Sequence, residues 1–214
     1  MSEDRNGGGI VGLGLRALKG GAVIVALALD RGEPRILLST FLATHDEGDH
    51  LSLEPYVVAA GMARGPGGKA SADAIAAVAE GRGRQDKLAA KGLQAIVHRL
   101  EADGHDKVAA ALIVNRAGWI ADLLDYSLGW AEHVPVAEGL AVREALRFGV
   151  RQCRIDMVEL DEKSLPDLAQ EALDLSSAEI ASRLEGLGAA AGKPWRKEQK
   201  AACLAAWIAT AGQA

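Results

Sequence analysis

The stretch that decides the fold is "VGLGLRALKGGAVIVAL", residues 11–27. Apolar residues there run nearly unbroken on either side of Lys19-Gly20-Gly21, the composition of two strands joined by a tight turn. The pattern repeats downstream. Asp30-Arg31-Gly32-Glu33-Pro34 is a second turn, and "RILLSTFLAT" (35–44) a third strand. Three β-rich runs with short turns make an antiparallel meander. Upstream, residues 1–9 are polar and glycine-rich and read as a disordered lead-in without a signal peptide. "GGGIVG" (7–12) fits G-x-G-x-x-G in letters only. A dinucleotide loop must follow a strand and open a helix, and this one does neither.

After the meander the period changes. Residues 51–80 are alanine-rich and helical in pattern, interrupted by the loop "RGPGGK" (64–69), with Ser71 as N-cap of "ADAIAAVAE" (72–80). In "QDKLAAKGLQAIVHRLEADG", Leu93, Ile96, Val97 and Leu100 share one helical face and Gly104 marks the stop. "KVAAALIVN" (107–115) is a short continuous apolar run, as expected of a central parallel strand. "GWIADLLDYSL" (118–128) and "VAEGLAVREALRFGV" (136–150) read as helices, and "CRIDMVEL" (153–160) as a half-buried strand. Ser176 and Glu179 form a capping box for a helix ending at Gly188. A last helix is expected from Pro194, buried on nearly every side beyond Lys200. The expected fold class is α/β: a mixed sheet of three antiparallel strands followed by two parallel ones, with helices on both faces. Residues 10–214 are expected to form one domain with extra helices.

That order, with two short motifs, resembles the ribonuclease H-like superfamily, in particular the RuvC and YqgF-like resolvase groups. Those groups carry G-x-D-x-G in the first strand and a glycine in the second; Gly12 and Gly21 stand at matching positions. "VELDEKSLPDLA" followed by "KEQKAACLAAWI" resembles their ending, with Asp161, Glu162 and Lys163 on the first part of the pattern. The resemblance implies acids on the first strand, at the end of the fourth strand and on the last helix, holding divalent metal for phosphodiester hydrolysis. Here the first-strand aspartate position is Gly14, the following glycine position is Arg16, and the fourth strand ends in Asn115-Arg116. The last helix has Glu198 near its start and no acid from Gln199 to Ala214. An arginine where a metal should sit opposes it electrostatically, so no metal and no cofactor are expected.

The remaining candidates are few. His45-Asp46-Glu47-Gly48-Asp49-His50 packs two histidines and three acids into six positions, but matches neither a closed zinc pattern nor an EF-hand register. It reads as a connection whose acids favour the next helix N-terminus. "GKPWRKEQK" (192–200) groups Lys193, Arg196, Lys197 and Lys200 beside Trp195. Cations at a helix N-terminus oppose the dipole and hint at an anionic partner, against a net charge of −5 that disfavours nucleic acid as a whole. His133 precedes "VPVAEG" (134–139), which contains Glu138. Cys153 and Cys203 lie in apolar patterns without C-x-x-C spacing and read as buried thiols. With no apolar run long enough for a membrane span, a cytoplasmic protein is expected.

The first functional expectation is a non-catalytic binding or scaffold module, open to a protein partner or to self-association through its alanine-rich helices. A second is a metal-dependent nuclease with a relocated site on Asp161, Glu162 and Glu138. A third is a nucleotide- or small-anion-binding protein using Arg16, Asn115 and Arg116, with Asp161, Glu162 and Lys163 on the neighbouring strand end.

Overall fold

Strand β1, Val11–Leu18, is the centre of the molecule. Val11, Leu13 and Leu15 point to one face and are completely buried, while Gly12 and Gly14 open the other face to a helix. The computed structural model describes residues 9–115 and 119–212. β1 pairs antiparallel with β2 (Gly21–Asp30), which pairs antiparallel with β3 (Glu33–Ala43). On its other side β1 pairs in parallel with β4 (Val108–Val114), and β4 with β5 (Asp156–Asp161). The five strands lie in the order β3-β2-β1-β4-β5, the mixed sheet expected from the sequence.

Helices cover both faces. α1 (His50–Leu53), α2 (Pro55–Ala60) and α3 (Ala72–Ala102) follow the meander. α4 (Leu123–Gly129) and α5 (Val134–Gln152) connect β4 to β5. α6 (Leu165–Leu173), α7 (Ser177–Ala191) and α8 (Lys197–Ala211) close the chain. α3 and α5 bury Ala89, Leu93, Val142 and Leu146 against the Leu13 side of the sheet. α6, α7 and α8 bury Ala169, Leu184, Ala205 and Trp207 against Val23, Val25 and Ile113. α8 is enclosed from Ala202 to Thr210, as its all-round apolar sequence requires. No described helix is long and apolar enough to cross a membrane.

Several boundaries differ from the sequence reading. The segments around residues 72–80 and 85–104 form one helix of 31 residues. Gly81 lies inside it; a Cβ there would overlap the Leu51 carbonyl oxygen, so the glycine lets α1 approach. The helix expected over 118–128 begins only at Leu123, because the Asp122 carboxylate accepts from the Leu124 and Asp125 N–H groups and fixes the start there. Ile120 therefore precedes the helix. β5 starts at Asp156 rather than Cys153, since Cys153 caps α5 and Arg154 takes a positive φ of 56°. α7 runs past Gly188 to Ala191, and Gly188 instead makes room for the Trp195 indole. α8 begins at Lys197 rather than Pro194; Trp195 is tied down by its Nε1–H donating to the Leu184 carbonyl at 3.0 Å.

α8 lies directly on β1. A Cβ at Gly12 would overlap the Ala206 carbonyl oxygen, and one at Gly14 that of Ala202. Gly14→Ala must push helix and sheet apart. We expect it to cost at least ~2 kcal/mol, read as a fall of roughly 4 °C or more in melting temperature for a chain of this size. A thermal melt of the variant checks this.

Candidate functional site

In a parallel arrangement the strands share a carboxyl edge, and the loops leaving it converge on one region. β1 ends there with Arg16 near its close, β4 with Asn115, and β5 with Asp161 followed by Glu162, Lys163 and Ser164. The Glu162 N–H donates to the Val114 carbonyl at 2.8 Å, extending the β4–β5 ladder by one residue. Asn115, Asp161, Glu162, Lys163 and Ser164 line an open cleft of about 690 Å³. The Ser164 hydroxyl donates to Asp161 Oδ2 at 3.1 Å.

Arg16 stands behind this cleft. Its Nη2 donates to Glu162 Oε1 at 2.6 Å, with the arginine side chain only 17% exposed. Side chains alternate along β1, so Arg16 follows Gly12 and Gly14 on the α8 face. Glu198 precedes Ala202 by one helical turn and continues the α8 stripe that packs on those glycines. Arg143 of α5 adds a second, partly buried guanidinium. Burial pushes its pKa below the usual arginine range, while the nearby Glu162 charge opposes that. Nε of Arg16 and Nε of Arg143 are buried without a hydrogen-bond partner among the described residues. Arg147, one turn further along α5, pairs with Glu159 of β5 at 2.5 Å and with Glu144 at 2.7 Å.

Of the sequence candidates, Asn115, Asp161, Glu162 and Lys163 come together in the cleft, and Arg16 joins them through Glu162. Arg116 lies outside the described residues. Glu138 stands elsewhere: its Oε1 accepts from the Tyr56 N–H at 2.8 Å and the Val57 N–H at 3.0 Å, capping α2 from across the helical layer. Burial pushes the Glu138 carboxyl up to about 7, against the lowering effect of those two hydrogen bonds. In the 45–50 stretch, His45 Nδ1 meets the Gly20 carbonyl at 2.8 Å, and the Asp49 carboxylate caps α1 through the Leu51 N–H at 3.1 Å. The Arg84 guanidinium beside Asp49 lowers its carboxyl to about 2. Among the described residues no group of three or more histidine, cysteine, aspartate or glutamate side chains could hold a metal. Sequence reasoning passed over Arg143; its only signal was the four-residue spacing to Arg147, which puts both on one helical face.

With this geometry in place, similarity to solved structures bears on the fold. The Thermus thermophilus RuvC structure in complex with a Holliday junction substrate superposes with a TM-score of 0.51 at 11% identity, covering 93% of this chain and 91% of that one. The fold is ribonuclease H-like. A second Thermus thermophilus RuvC structure aligns with a TM-score of 0.47 at 10% identity, over 93% of this chain and 91% of that one. The yeast mitochondrial Holliday junction resolvase aligns with a TM-score of 0.43 at 9% identity, over 96% and 81%. No family model matches the chain, and no curated protein does. Within the ribonuclease H-like frame, Gly14 lies in the middle of the first strand and Arg16 near its end, and the strand-end cleft is bounded by an ion pair.

Two tests follow from these residues. A carboxyl whose folded pKa is raised favours the protonated state, so Glu138 contributes stability below its ordinary value of 4.5 that is lost as pH rises through about 7. Glu138→Gln keeps an acceptor for the α2 N–H groups and removes the titration. The stability gap between Glu138→Gln and the parent should widen by up to about 3 kcal/mol in favour of the variant between pH 4.5 and 8; denaturant titrations across that range measure it. A double-mutant cycle on Arg16→Met and Glu162→Gln should return a coupling of about 1 kcal/mol, since one partner is nearly buried and the other partly exposed.

Proposed function

We propose that this chain is a non-catalytic ribonuclease H-like binding module whose ligand-facing end is the carboxyl edge of β1, β4 and β5. The observation that carries the reading is the Arg16–Glu162 ion pair beside Gly14. A guanidinium already neutralises the carboxylate that a divalent cation would need, and a carboxylate side chain at position 14 has no room against Ala202. The exposed surface supports binding as the role. Trp119 and Trp130 are 72% and 70% exposed, and Val57, Ile75 and Val136 are exposed on helices α2, α3 and α5. Isolated apolar residues on a surface are ordinary, but two open tryptophans in a chain with four are not.

A metal-dependent nuclease built on Asp161 and Glu162 is the second reading. It draws on the fact that these two acids share the cleft with Asn115. Against it stand the commitments of each acid, Glu162 to Arg16, Asp161 to Ser164, and Glu138 to the Tyr56 and Val57 N–H groups. A small anion held by Arg16, Asn115 and Arg116 is the third, and the two carboxylates of the cleft work against it.

The deciding experiment incubates the full chain with a four-way DNA junction and with supercoiled plasmid in Mg²⁺ or Mn²⁺, beside thermal melts in the same metals. We expect no cleavage and an unchanged melting temperature. A cation bound at about 100 times its dissociation constant would add roughly 2.7 kcal/mol and raise the melt by several degrees. Mn²⁺-dependent cleavage that disappears in Asp161→Asn and Glu162→Gln would replace the binding-module reading with the nuclease one.

A further inference from the structure

The segment that leaves the carboxyl edge at β4 and leads into α5 carries a surface of its own. Two of the chain's four tryptophans and one of its two tyrosines fall within residues 119–130. α4 sorts its side chains by helical period. Leu123 and Leu124 pack on the apolar cluster that joins α2, α3 and α5, and Ser127 is buried. Asp122, Asp125, Tyr126 and Gly129 recur at i, i+3, i+4 and i+7 and share the opposite face. The aromatics of this face are open yet held in place. Tyr126 and His133 stack with ring centroids 3.9 Å apart and planes 6° apart, and His133 Nδ1–H donates to the Tyr126 carbonyl at 2.8 Å. Trp119 meets Tyr126 edge-on at 5.3 Å between centroids. The His133 N–H donates to the Trp130 carbonyl at 3.0 Å, which ties the backbone of Trp130 to the same turn. Trp119 and Trp130 nevertheless remain mostly exposed. Large rings that are fixed without being covered offer contact area at little further loss of side-chain freedom.

The charge of this surface is negative. Residues 119–136 contain Asp122, Asp125 and Glu132 and neither lysine nor arginine. Asp125 and Glu132 are exposed and enter no ion pair among the described residues. Arg64 reaches the end of α4 from the loop before α3, and its Nη2 donates to the Leu128 carbonyl at 2.9 Å. Set against Asp122, it leaves the carboxylates of Asp125 and Glu132 unbalanced. The Arg64 contact also shows what this helix end accepts, since C-terminal carbonyls carry partial negative charge. Ring faces, carboxylates and a helix C-terminus all attract a cation. The same groups repel phosphate, so the surface is unsuited to nucleic acid or to an anionic membrane. Arginine suits it better than lysine, because a planar guanidinium stacks on an indole while its N–H groups reach carboxylates.

We infer that the outer face of α4 and the turn after it dock an arginine-bearing segment of a partner protein, its guanidinium groups lying on Trp119 and Trp130 and pairing with Asp125 and Glu132. The inference rests on the binding-module reading and gives that module a partner class.

The test is fluorescence anisotropy of a labelled peptide that alternates arginine with glycine, titrated with the full chain, beside its lysine and uncharged citrulline versions. We expect saturable binding that weakens with salt, arginine above lysine, and none by the citrulline peptide. Trp119→Ala and Trp130→Ala should each weaken it about five-fold, and Asp125→Asn combined with Glu132→Gln about three-fold or more. Asp30→Asn combined with Glu171→Gln, two exposed acids on β2 and α6, changes the net charge equally and should leave binding as it was. The substituted side chains are exposed, so melting temperatures should hold throughout. Absence of binding would overturn the inference, as would equal binding of the citrulline peptide, equal loss in the Asp30 and Glu171 variant, or indifference to both tryptophan substitutions. Sedimentation of the chain alone that reveals a dimer dissolved by Trp119→Ala or Trp130→Ala would give the face to a second copy instead. An oligonucleotide whose binding those two variants abolish would give it to nucleic acid, and either result overturns the inference. All of these outcomes, without metal-dependent cleavage, leave the binding-module reading standing; cleavage in the metal assay would remove that reading itself.

Discussion

The contact on which the structure depends is backbone against backbone: helix α8 resting on strand β1 with no side chain between them at Gly12 and Gly14. Helix and sheet normally stand about 10 Å apart because side chains separate them. Here glycines on the strand and Ala202, Ala205, Ala206 and Ala209 on the helix remove that spacer, and α8 is buried from Ala202 onward. The small residues along β1 and α8 fit this geometry. So does the fate of position 14, which a larger side chain cannot occupy without parting the two layers.

The same contact sets the electrostatics of the carboxyl edge. Beyond Gly14 the glycine stripe ends and Arg16 turns towards Glu162, making an ion pair at the mouth of the parallel strands. Arg143 and Arg147 approach from α5, and Arg147 is balanced by Glu144 and Glu159. At this edge Glu162 is matched to Arg16 and Glu159 to Arg147, while Asp161 accepts from the Ser164 hydroxyl. A catalytic metal centre needs the opposite, an excess of carboxylates held apart until a cation joins them.

Much of the meander was legible because strand, glycine turn and strand are local features. Lys19-Gly20 and Arg31-Gly32 turn where the sequence places turns, and Ser71 and Ser176 cap the helices they precede, Ser176 with Glu179 in the first turn. Asp161, Glu162, Lys163 and Asn115 could be placed at neighbouring strand ends from strand order alone. The packing role of Gly81 left no sign in the sequence and Gly188 was read as a stop, because glycine looks the same in sequence whether it ends a helix or admits a neighbour. Leu51 and Trp195, which explain them, are 30 and 7 positions away in the chain. Glu138 was grouped with acids that it never meets; its partners are two N–H groups of α2, more than 80 residues upstream.

By itself the sequence determined the succession of strands and helices, the mixed α/β architecture and the buried character of α8. These follow from residue type and short-range periodicity, which act within a few positions of the chain. Only the tertiary structure decided that Arg16 spends its charge on Glu162 and that Glu138 is a buried helix cap. Each joins side chains far apart in sequence, and such meetings are fixed by how layers pack, which no local pattern encodes.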